Sequence, residues 1–178
     1  MSHHRHEITR CPRCGGTPLE WPTPKNLSCP ACGFTLYLNI AAAVAVIIEC
    51  SGKILFGVRK HDPGRGMLDL PGGFVDPDES AEEAALREAK EELGVELAEL
   101  RYLFSLPNRY PYRDIVYHTL DLVFLAPCTD PMQITAGDDL AEVVWVAREQ
   151  VDFDAVAFDS LKQALRRYLA ENPPQEER

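Results

Sequence analysis

Apolar residues in the middle of the chain occur in runs that predict β-strands. Residues 40–49 form an unbroken stretch dominated by small and β-branched side chains, and the turn signal Ser51-Gly52 separates it from a second apolar run over residues 54–60. An unbroken apolar run of this length is typical of a buried strand, and the intervening turn predicts a hairpin. Further strands are predicted at residues 68–70, 96–106, 115–125 and 142–146.

Two segments have the apolar spacing of amphipathic helices. Residues 80–93 begin with a capping box formed by Ser80 and Glu83, have an interior rich in Ala, Leu, Glu and Lys, and precede Gly94, a typical helix terminator. Residues 159–170 form the second predicted helix. The predicted core positions are Leu86, Ala89 and Leu93 on the first helix, and Leu161, Leu165, Tyr168 and Leu169 on the second. Helices placed among strands in this order predict an α/β fold with a mixed sheet between helices.

Four of the six cysteines form two Cys-x-x-Cys pairs near the start of the chain. The pairs are Cys11 with Cys14 and Cys29 with Cys32, fourteen residues apart. This spacing predicts a tetrahedral Zn2+ site with four thiolate ligands, and the glycine after each pair fits a knuckle turn with positive φ. Two disulfides in a secreted protein are the alternative, which the lack of a visible secretory signal disfavours. Cys50 and Cys128 lie in apolar runs and are expected to be buried thiols.

Charge and hydropathy limit the classes of partner. The formal net charge of -10 disfavours charge-driven binding to nucleic acid or to an anionic membrane surface. The sequence contains no apolar stretch of the roughly 18 residues that a bilayer span needs, and residues 1–10 are polar rather than a signal peptide. We therefore expect a cytoplasmic protein that does not associate with membranes, and we assign no role to His3, His4 or His6.

These observations divide the chain into four parts. Residues 1–10 are predicted to be a flexible N-terminus, residues 11–33 a small zinc ribbon, residues 34–171 the larger α/β domain and residues 172–178 a flexible tail. Because prolines punctuate the interior of the ribbon, we expect metal ligation rather than apolar burial to order it.

Three glutamates cluster on the C-terminal half of the first predicted helix. On an α-helix Glu88, Glu91 and Glu92 lie within an arc of roughly 100°. A solvated acidic face is the simpler interpretation, but like charges at i,i+4 and the negative end of the helix dipole both disfavour this arrangement. Bound divalent cations would reverse both penalties, and hard carboxylate oxygens without histidine or thiolate suit Mg2+ or Mn2+.

The spacing around these glutamates resembles the Nudix box. Gly73 is followed after five residues by Glu79 and, after seven more, by Arg87-Glu88-Ala89-Lys90-Glu91-Glu92-Leu93-Gly94-Val95. The preceding residues 66–73 are also similar to the family pattern, although Met67 stands where an aromatic residue is common. The resemblance to Nudix hydrolases implies a Nudix-type α/β/α sandwich with a mixed β-sheet, here preceded by the zinc ribbon.

The resemblance also implies roles for residues of the box. Glu88 and Glu92 would ligate the catalytic Mg2+ or Mn2+ together with the backbone carbonyl of Gly72, and Glu91 would ligate metal or position the water. Arg87 and Glu79 would be a buried pair that orients these carboxylates and holds them in place. The position of Glu79 just before the helix leaves open that it only stabilises the helix start.

A fourth carboxylate lies far from the box in sequence. Glu142-Val143-Val144-Trp145 resembles the Glu-x-x-Trp of a late strand in the family, whose glutamate completes the metal site or acts as base. Glu142 is therefore the candidate, and Asp138 and Asp139 are loop alternatives. All three could instead be ordinary solvated carboxylates.

The segment after the box bears on the substrate. Residues 105–112, Ser-Leu-Pro-Asn-Arg-Tyr-Pro-Tyr, resemble the motif of NADH pyrophosphatases, which also carry a four-cysteine ribbon. Asn108 and Arg109 depart from that motif, which has Trp-Pro there. In sequence position, Pro111 lies near the proline associated with ADP-ribose pyrophosphatases. Tyr112 lies near the tyrosine associated with dinucleoside polyphosphate hydrolases.

Three side chains of this segment are candidate substrate contacts. Tyr110 or Tyr112 could stack on a base and Arg109 could meet a phosphate, whereas a packing role on an edge strand is the alternative.

The resemblance implies an enzyme acting on a small-molecule nucleoside diphosphate derivative, of the NADH or ADP-ribose type. The alternative is a nucleotide-sensing Nudix-fold module whose ribbon contacts nucleic acid or a protein partner, which the intact glutamates disfavour. The acidic chain favours a structural or dimerising ribbon over nucleic-acid recognition, so a homodimer stays open.

Overall fold

The computed structural model describes residues 2–3, 7–128, 134, 136–137 and 140–173. The chain forms two compact units. The first unit comprises Met1–Ala41 and Arg109–His118, and the second comprises Ala42–Asn108 and Thr119–Arg178. The predicted loop candidates Asp138 and Asp139 lie outside the described residues, as does the end of the predicted C-terminal tail.

The first unit contains a small antiparallel sheet and one very short strand. Strand β1 (Ser2–His3) pairs in parallel with Ile115 and Val116. Strands β2 (Glu20–Thr23), β3 (Asn26–Ser28) and β4 (Thr35–Tyr37) form the three-stranded sheet. Leu27 in its central strand is fully buried, so an apolar anchor accompanies the cysteines that were expected to order this part alone. The sheet also continues past residue 33, the predicted end of the ribbon.

The second unit is built on a larger sheet. Its strands include β5 (Ala41–Cys50), β6 (Lys53–Arg59), β7 (Leu68–Asp69), β8 (Arg101–Tyr112), β9 (Ile115–Cys128) and β10 (Leu140–Ala147). The hydrogen-bonded order is β9-β5-β6-β10, β7 pairs with β6, and β8 pairs with β9. The pairing of β5 with β6 is antiparallel and confirms the predicted hairpin. The parallel pair made by β1 makes the sheet mixed.

Strand β8 differs from its predicted bounds at both ends. Residues 96–100 were expected to be strand, but here the chain is irregular and packs Leu97 and Leu100 against the core without joining the sheet. At the other end β8 runs six residues beyond position 106, through Pro107 and Pro111. Proline has no backbone N–H to donate, so a strand tolerates it at positions where no neighbouring strand needs that hydrogen bond. The tip of the β8–β9 hairpin, residues 109–118, belongs to the first unit.

Two helices cover opposite faces of the large sheet. Successive side chains of β5 alternate between two apolar clusters, because neighbouring side chains in a strand point to opposite faces. One cluster contains Ala84, Ala85, Ala89 and Leu93 of α1 (Ala81–Leu93), and the other contains Leu161, Ala164, Leu165 and Tyr168 of α2 (Asp159–Glu171). This arrangement confirms the expected α/β/α sandwich.

One predicted core residue of α1 is not buried. Leu86 is 41% exposed, whereas Ala84 and Ala85 are fully buried. Each helical residue is rotated about 100° from its neighbour, so burial centred on Ala85 turns Leu86 out of the interface. Small side chains therefore form most of the contact of α1 with the sheet, with Leu93 the large exception, and they let the helix backbone approach it closely.

The two cysteines outside the ribbon have different environments. Cys50 is buried as expected, but Cys128 at the end of β9 is only half-buried, so that prediction was wrong for Cys128. In the part of the chain that the structure describes, neither helix is long and apolar enough to cross a membrane.

Candidate active site

A glycine loop follows β7 and lies directly against β5. Val46 N donates to Pro71 O at 2.8 Å, and Val44 N donates to Gly73 O at 2.8 Å. A Cβ added at Gly72 would lie 2.0 Å from Val44 O, which is a backbone atom and cannot turn aside. Only glycine therefore allows the loop to follow the strand at this distance.

Local signals fix both ends of α1. Ser80 Oγ accepts from Glu83 N at 3.2 Å and Glu83 Oε2 accepts from Ser80 N at 2.8 Å, which is the predicted capping box. At the other end Gly94 has φ 69° and donates to Lys90 O at 3.0 Å. These caps fix where the helix begins and ends, so that Glu88, Glu91 and Glu92 all lie within it.

The acidic face of α1 is directed at the glycine loop. Gly72 N donates to Glu92 Oε2 at 3.0 Å. A Cβ added at Gly73 would lie 2.3 Å from Glu88 Oε1, so the carboxylate rests on bare backbone. The structure thus places Glu92 beside Gly72 and Glu88 beside Gly73.

Arg87 joins the loop to this face. Its guanidinium donates to both oxygens of Glu79, with Nε–Oε1 at 2.8 Å and Nη2–Oε2 at 3.0 Å, and Nη2 also donates to Phe74 O at 3.0 Å. Nη1 donates to Glu88 Oε1 at 2.7 Å and to Glu91 Oε2 at 3.1 Å. The side chains of Arg87 and Glu79 are 27% and 14% exposed, so the pair is shielded but not fully buried.

The electrostatics of these carboxyls differ. Hydrogen bonds from Arg87 hold the pKa of Glu79 below its ordinary value. Burial raises the pKa of Glu88, although its contact with Arg87 opposes the shift. The side chain of Glu91 is 61% exposed.

The donor atoms of this face are of the type that a hard divalent cation takes. Within one helical turn, Glu88 and Glu92 direct carboxylate oxygens at the glycine loop, with Glu91 beside them. Carboxylate and carbonyl oxygens are the ligands that Mg2+ and Mn2+ prefer. Because Gly72 and Gly73 carry no side chains, the Glu88 carboxylate can lie directly against the loop backbone.

The other predicted site residues lie on strands β8 and β10. Glu142 is exposed on β10, where its Cα is registered opposite Val58 of β6. Arg109, Tyr110 and Tyr112 belong to the first unit, whereas the box belongs to the second. The rings of Tyr110 and Tyr112 are nearly parallel, at 15°, with centroids 6.5 Å apart.

The four ribbon cysteines converge within the first unit. Cys11 Sγ lies 3.7 Å from Cys32 Sγ, and Cys14 Sγ lies 3.7 Å from Cys29 Sγ. All four sulfurs fall within 4.8 Å of one another. A tetrahedron with zinc–sulfur bonds of about 2.3 Å has edges of about 3.8 Å, so the cluster has the size of a zinc site. The glycines after the pairs, Gly15 and Gly33, have φ 73° and 69°, as the knuckle turns require.

Two contacts of the site were missed from the sequence. The carbonyl of Phe74 is held by Arg87, but a backbone acceptor has no sequence signature. Gly137, just before β10, donates its N–H to Glu92 O at 2.7 Å. A lone glycine in a polar segment predicts a turn, and its proximity to α1 depends on the fold.

Comparison with known proteins places the chain in a family. A model described as NUDIX domain matches residues 38–171, which is most of the chain. An ADP-ribose pyrophosphatase of Methanocaldococcus jannaschii is 40% identical over 61% of this chain and 63% of that protein. A NAD-capped RNA hydrolase NudC of Chromobacterium violaceum is 35% identical over 69% of this chain and 43% of that protein. The chain therefore matches less than two thirds of the length of either relative.

The fold gives the same result. A NUDIX hydrolase from Nitrosomonas europaea has a structure that matches with a TM-score of 0.72 and 27% identity, over 92% of this chain and 91% of that one. The matched range contains the glycine loop, α1 and the late strand β10, which are the elements that form the candidate site. The chain belongs to the NUDIX domain family.

Proposed function

We propose that the protein is a Mg2+- or Mn2+-dependent pyrophosphatase that cleaves a nucleoside diphosphate linked to another moiety, of the ADP-ribose or NADH type. The observation that carries this proposal is the convergence of Glu88 and Glu92 on the glycine loop. A solvated acidic face would leave its carboxylates in water, whereas the Glu88 side chain is only 14% exposed and Glu92 accepts from Gly72 N.

Glu88, Glu92 and the carbonyl of Gly72 would hold the cation. The carbonyls on either side of Gly72 both accept amides of β5, so we infer that the Gly72 carbonyl points the other way, toward the side on which its N–H meets Glu92. A bound Mg2+ supplies neutralisation of the diphosphate charge and a more acidic water.

The remaining residues of the box act on orientation and on the proton. Arg87 and Glu79 fix the carboxylate of Glu88, because the guanidinium spans both. Glu91 is exposed and within reach of solvent, and Glu142 on β10 is the second candidate to accept the proton of the attacking water.

The segment 105–112 and the names of the relatives support this substrate class. One relative is named for ADP-ribose and the other for NAD-capped RNA, and both names describe an adenosine diphosphate joined to a further group. Tyr110 and Tyr112 present parallel rings suited to stacking, and Arg109 is exposed and suited to a phosphate. We expect cleavage of NADH to give AMP and a nicotinamide mononucleotide.

The cysteine cluster is proposed to bind one structural Zn2+. The Zn2+ would order a segment that has one fully buried apolar residue, Leu27. The proposed domains are a ribbon at residues 11–33 and a hydrolase domain at residues 34–171. A dimerising role is the other possibility, which sedimentation of the intact chain would detect.

A product assay tests the function. The intact protein is incubated with Mg2+ and separately with ADP-ribose, NADH, a NAD-capped oligonucleotide, diadenosine polyphosphates and nucleoside triphosphates, and the products are identified by mass spectrometry. We expect the highest kcat/KM for ADP-ribose or NADH. A much higher kcat/KM for a nucleoside triphosphate would refute the substrate class.

Two variants test whether Glu92 is needed for turnover, and a binding measurement on the wild type tests the alternative function. Glu92→Gln should abolish turnover, whereas Glu82→Gln, on the exposed first turn of α1, should not change it. If wild-type protein binds ADP-ribose but releases no product with either cation, the chain is a nucleotide-binding module instead.

A further inference from the structure

The C-terminal end of α1 has a hydrogen-bond donor that comes from outside the helix. The last four carbonyls of any helix have no partner within it. Gly94 N caps one of them, at Lys90 O. Gly137 N, which lies 45 positions after Glu92 in the sequence, donates to Glu92 O at 2.7 Å and caps another.

The contact requires a glycine for reasons of space. A Cβ added at Gly137 would lie 2.3 Å from Glu91 O and 3.0 Å from both Cα and O of Glu92. All of these are backbone atoms of the helix, so no side-chain rotation can relieve the overlap. The φ of Gly137 is outside the left-handed region, so φ alone does not exclude alanine here. Close approach to α1 is therefore what excludes a larger residue.

Gly137 is also tied to the sheet. Its carbonyl accepts from Leu140 N at 3.2 Å, at the first residue of β10. Leu140 is buried and its side chain lies over Gly57 of β6, where an added Cβ would be 2.5 Å away. One residue thus connects the end of α1 to the start of the strand that carries Glu142.

We propose that Gly137 is a positioning residue for the metal site, acting through the backbone of Glu91 and Glu92. Glu92 is held on its side-chain end by Gly72 N at 3.0 Å and on its backbone by Gly137 N at 2.7 Å. These two contacts fix the carboxylate relative to the glycine loop. The inference rests on the proposed function, because it assumes that Glu92 binds the cation.

The test compares Gly137→Ala with Ala136→Gly in the intact chain. Ala136 is the exposed neighbour, so its variant changes one methyl group in the same segment. The measurements are the Mn2+ dissociation constant by electron paramagnetic resonance, kcat and KM for ADP-ribose, and the far-ultraviolet circular dichroism. We expect Gly137→Ala to weaken Mn2+ binding about 10-fold or more and to lower kcat about 10–100-fold, with KM changed less than about threefold. Ala136→Gly should match the parent.

Two outcomes separate this inference from the function on which it rests. If Glu92→Gln loses Mn2+ affinity while folded Gly137→Ala keeps the parent's affinity and kcat, the positioning role is refuted and the metal site stands. If Glu92→Gln binds Mn2+ as the parent does, the metal assignment and this inference both fail.

A measurement on the unaltered protein covers the case in which Gly137→Ala does not fold. In hydrogen exchange, the Gly137 amide should be protected like the last turn of α1, and Mg2+ should increase protection of both. Exchange of the Gly137 amide at the rate of an unprotected amide, with and without Mg2+, would overturn the proposal.

Discussion

Arg87 connects the glycine loop to the carboxylates of α1 through a single guanidinium, and Arg87→Lys should disrupt the site without removing its charge. The planar fork donates to Glu79, Phe74 and Glu88 at once. Lysine presents one ammonium at the end of a flexible stem and cannot span these acceptors. Glu88 would keep its charge but would no longer have the donor that fixes its orientation.

The magnitude follows from the hydrogen bonds that lysine cannot make. An ammonium can occupy one end of the fork, so the variant forfeits about two charge-assisted hydrogen bonds made by Arg87. The arginine side chain is 27% exposed, so the lower end of the usual range applies, about 1.5 kcal/mol each. The total is on the order of 3 kcal/mol, and if it appeared wholly in the transition state kcat would fall about 10²-fold. Some of it will appear as reduced stability, so we expect a fall of about 10–100-fold.

Steady-state kinetics on ADP-ribose at saturating Mg2+ measure this effect, with a thermal melt to quantify the stability share. Arg101→Lys, at the exposed start of β8, is the matched control. Glu79→Gln in the Arg87→Lys background should add little to the single change, because the two residues act as one unit. A kcat within twofold of the parent would refute the orienting role, and additive effects would leave Glu79 with helix-start stability alone.

Three other predictions concern separate parts of the chain. Glu88→Gln should lower kcat by at least about 10²-fold and Glu142→Gln by less, in the same kinetic assay; an effect of Glu142→Gln no larger than that of a remote surface glutamate would remove it from the site. Elemental analysis should find about one zinc per chain, and absence of zinc together with disulfides between the cysteine pairs would overturn the ribbon. Burial raises the pKa of Asp69 to about 6 despite its ion pair with Arg59, so the folded state gains a proton before the unfolded chain does. Its contribution to the free energy of unfolding should rise as pH falls from above 6 toward 3.8, and denaturant melts of Asp69→Asn should lack that rise.

Helix α1 could be predicted from the sequence because its signals are local. Ser80, Glu83 and Gly94 act within a few residues of the helix ends, and the structure shows each in its expected contact. Which side of the helix is buried is not a local property. The small residues Ala84 and Ala85 are buried and Leu86 is not, because the rotation of α1 satisfies both the sheet and the glycine loop.

The candidate site also combines features that are local in the sequence with features that depend on how distant segments pack. The carboxylates of the box share a helix, so the spacing alone predicts that they lie together. The contact of Gly137 with α1 depends on how a distant segment packs, and nothing in the residues around it indicates a partner. The extension of β8 past residue 106 is likewise set by pairing with β9, which outweighs the low strand propensity of two prolines.

Two penalties on the acidic face of α1 favour a bound cation: like charges at i,i+4 and anions near the helix C-terminus. The structure shows that the chain compensates part of each, because Arg87 donates to Glu88 and Glu91, and Gly72 N–H donates to Glu92. Compensation is incomplete, because one guanidinium, that of Arg87, faces four carboxylates. A formal excess of three negative charges remains on Glu79, Glu88, Glu91 and Glu92. A diphosphate would be repelled by that excess. One divalent cation would leave the site still negative and two would make it positive, so attraction of an anionic substrate requires more than one cation or further cationic groups.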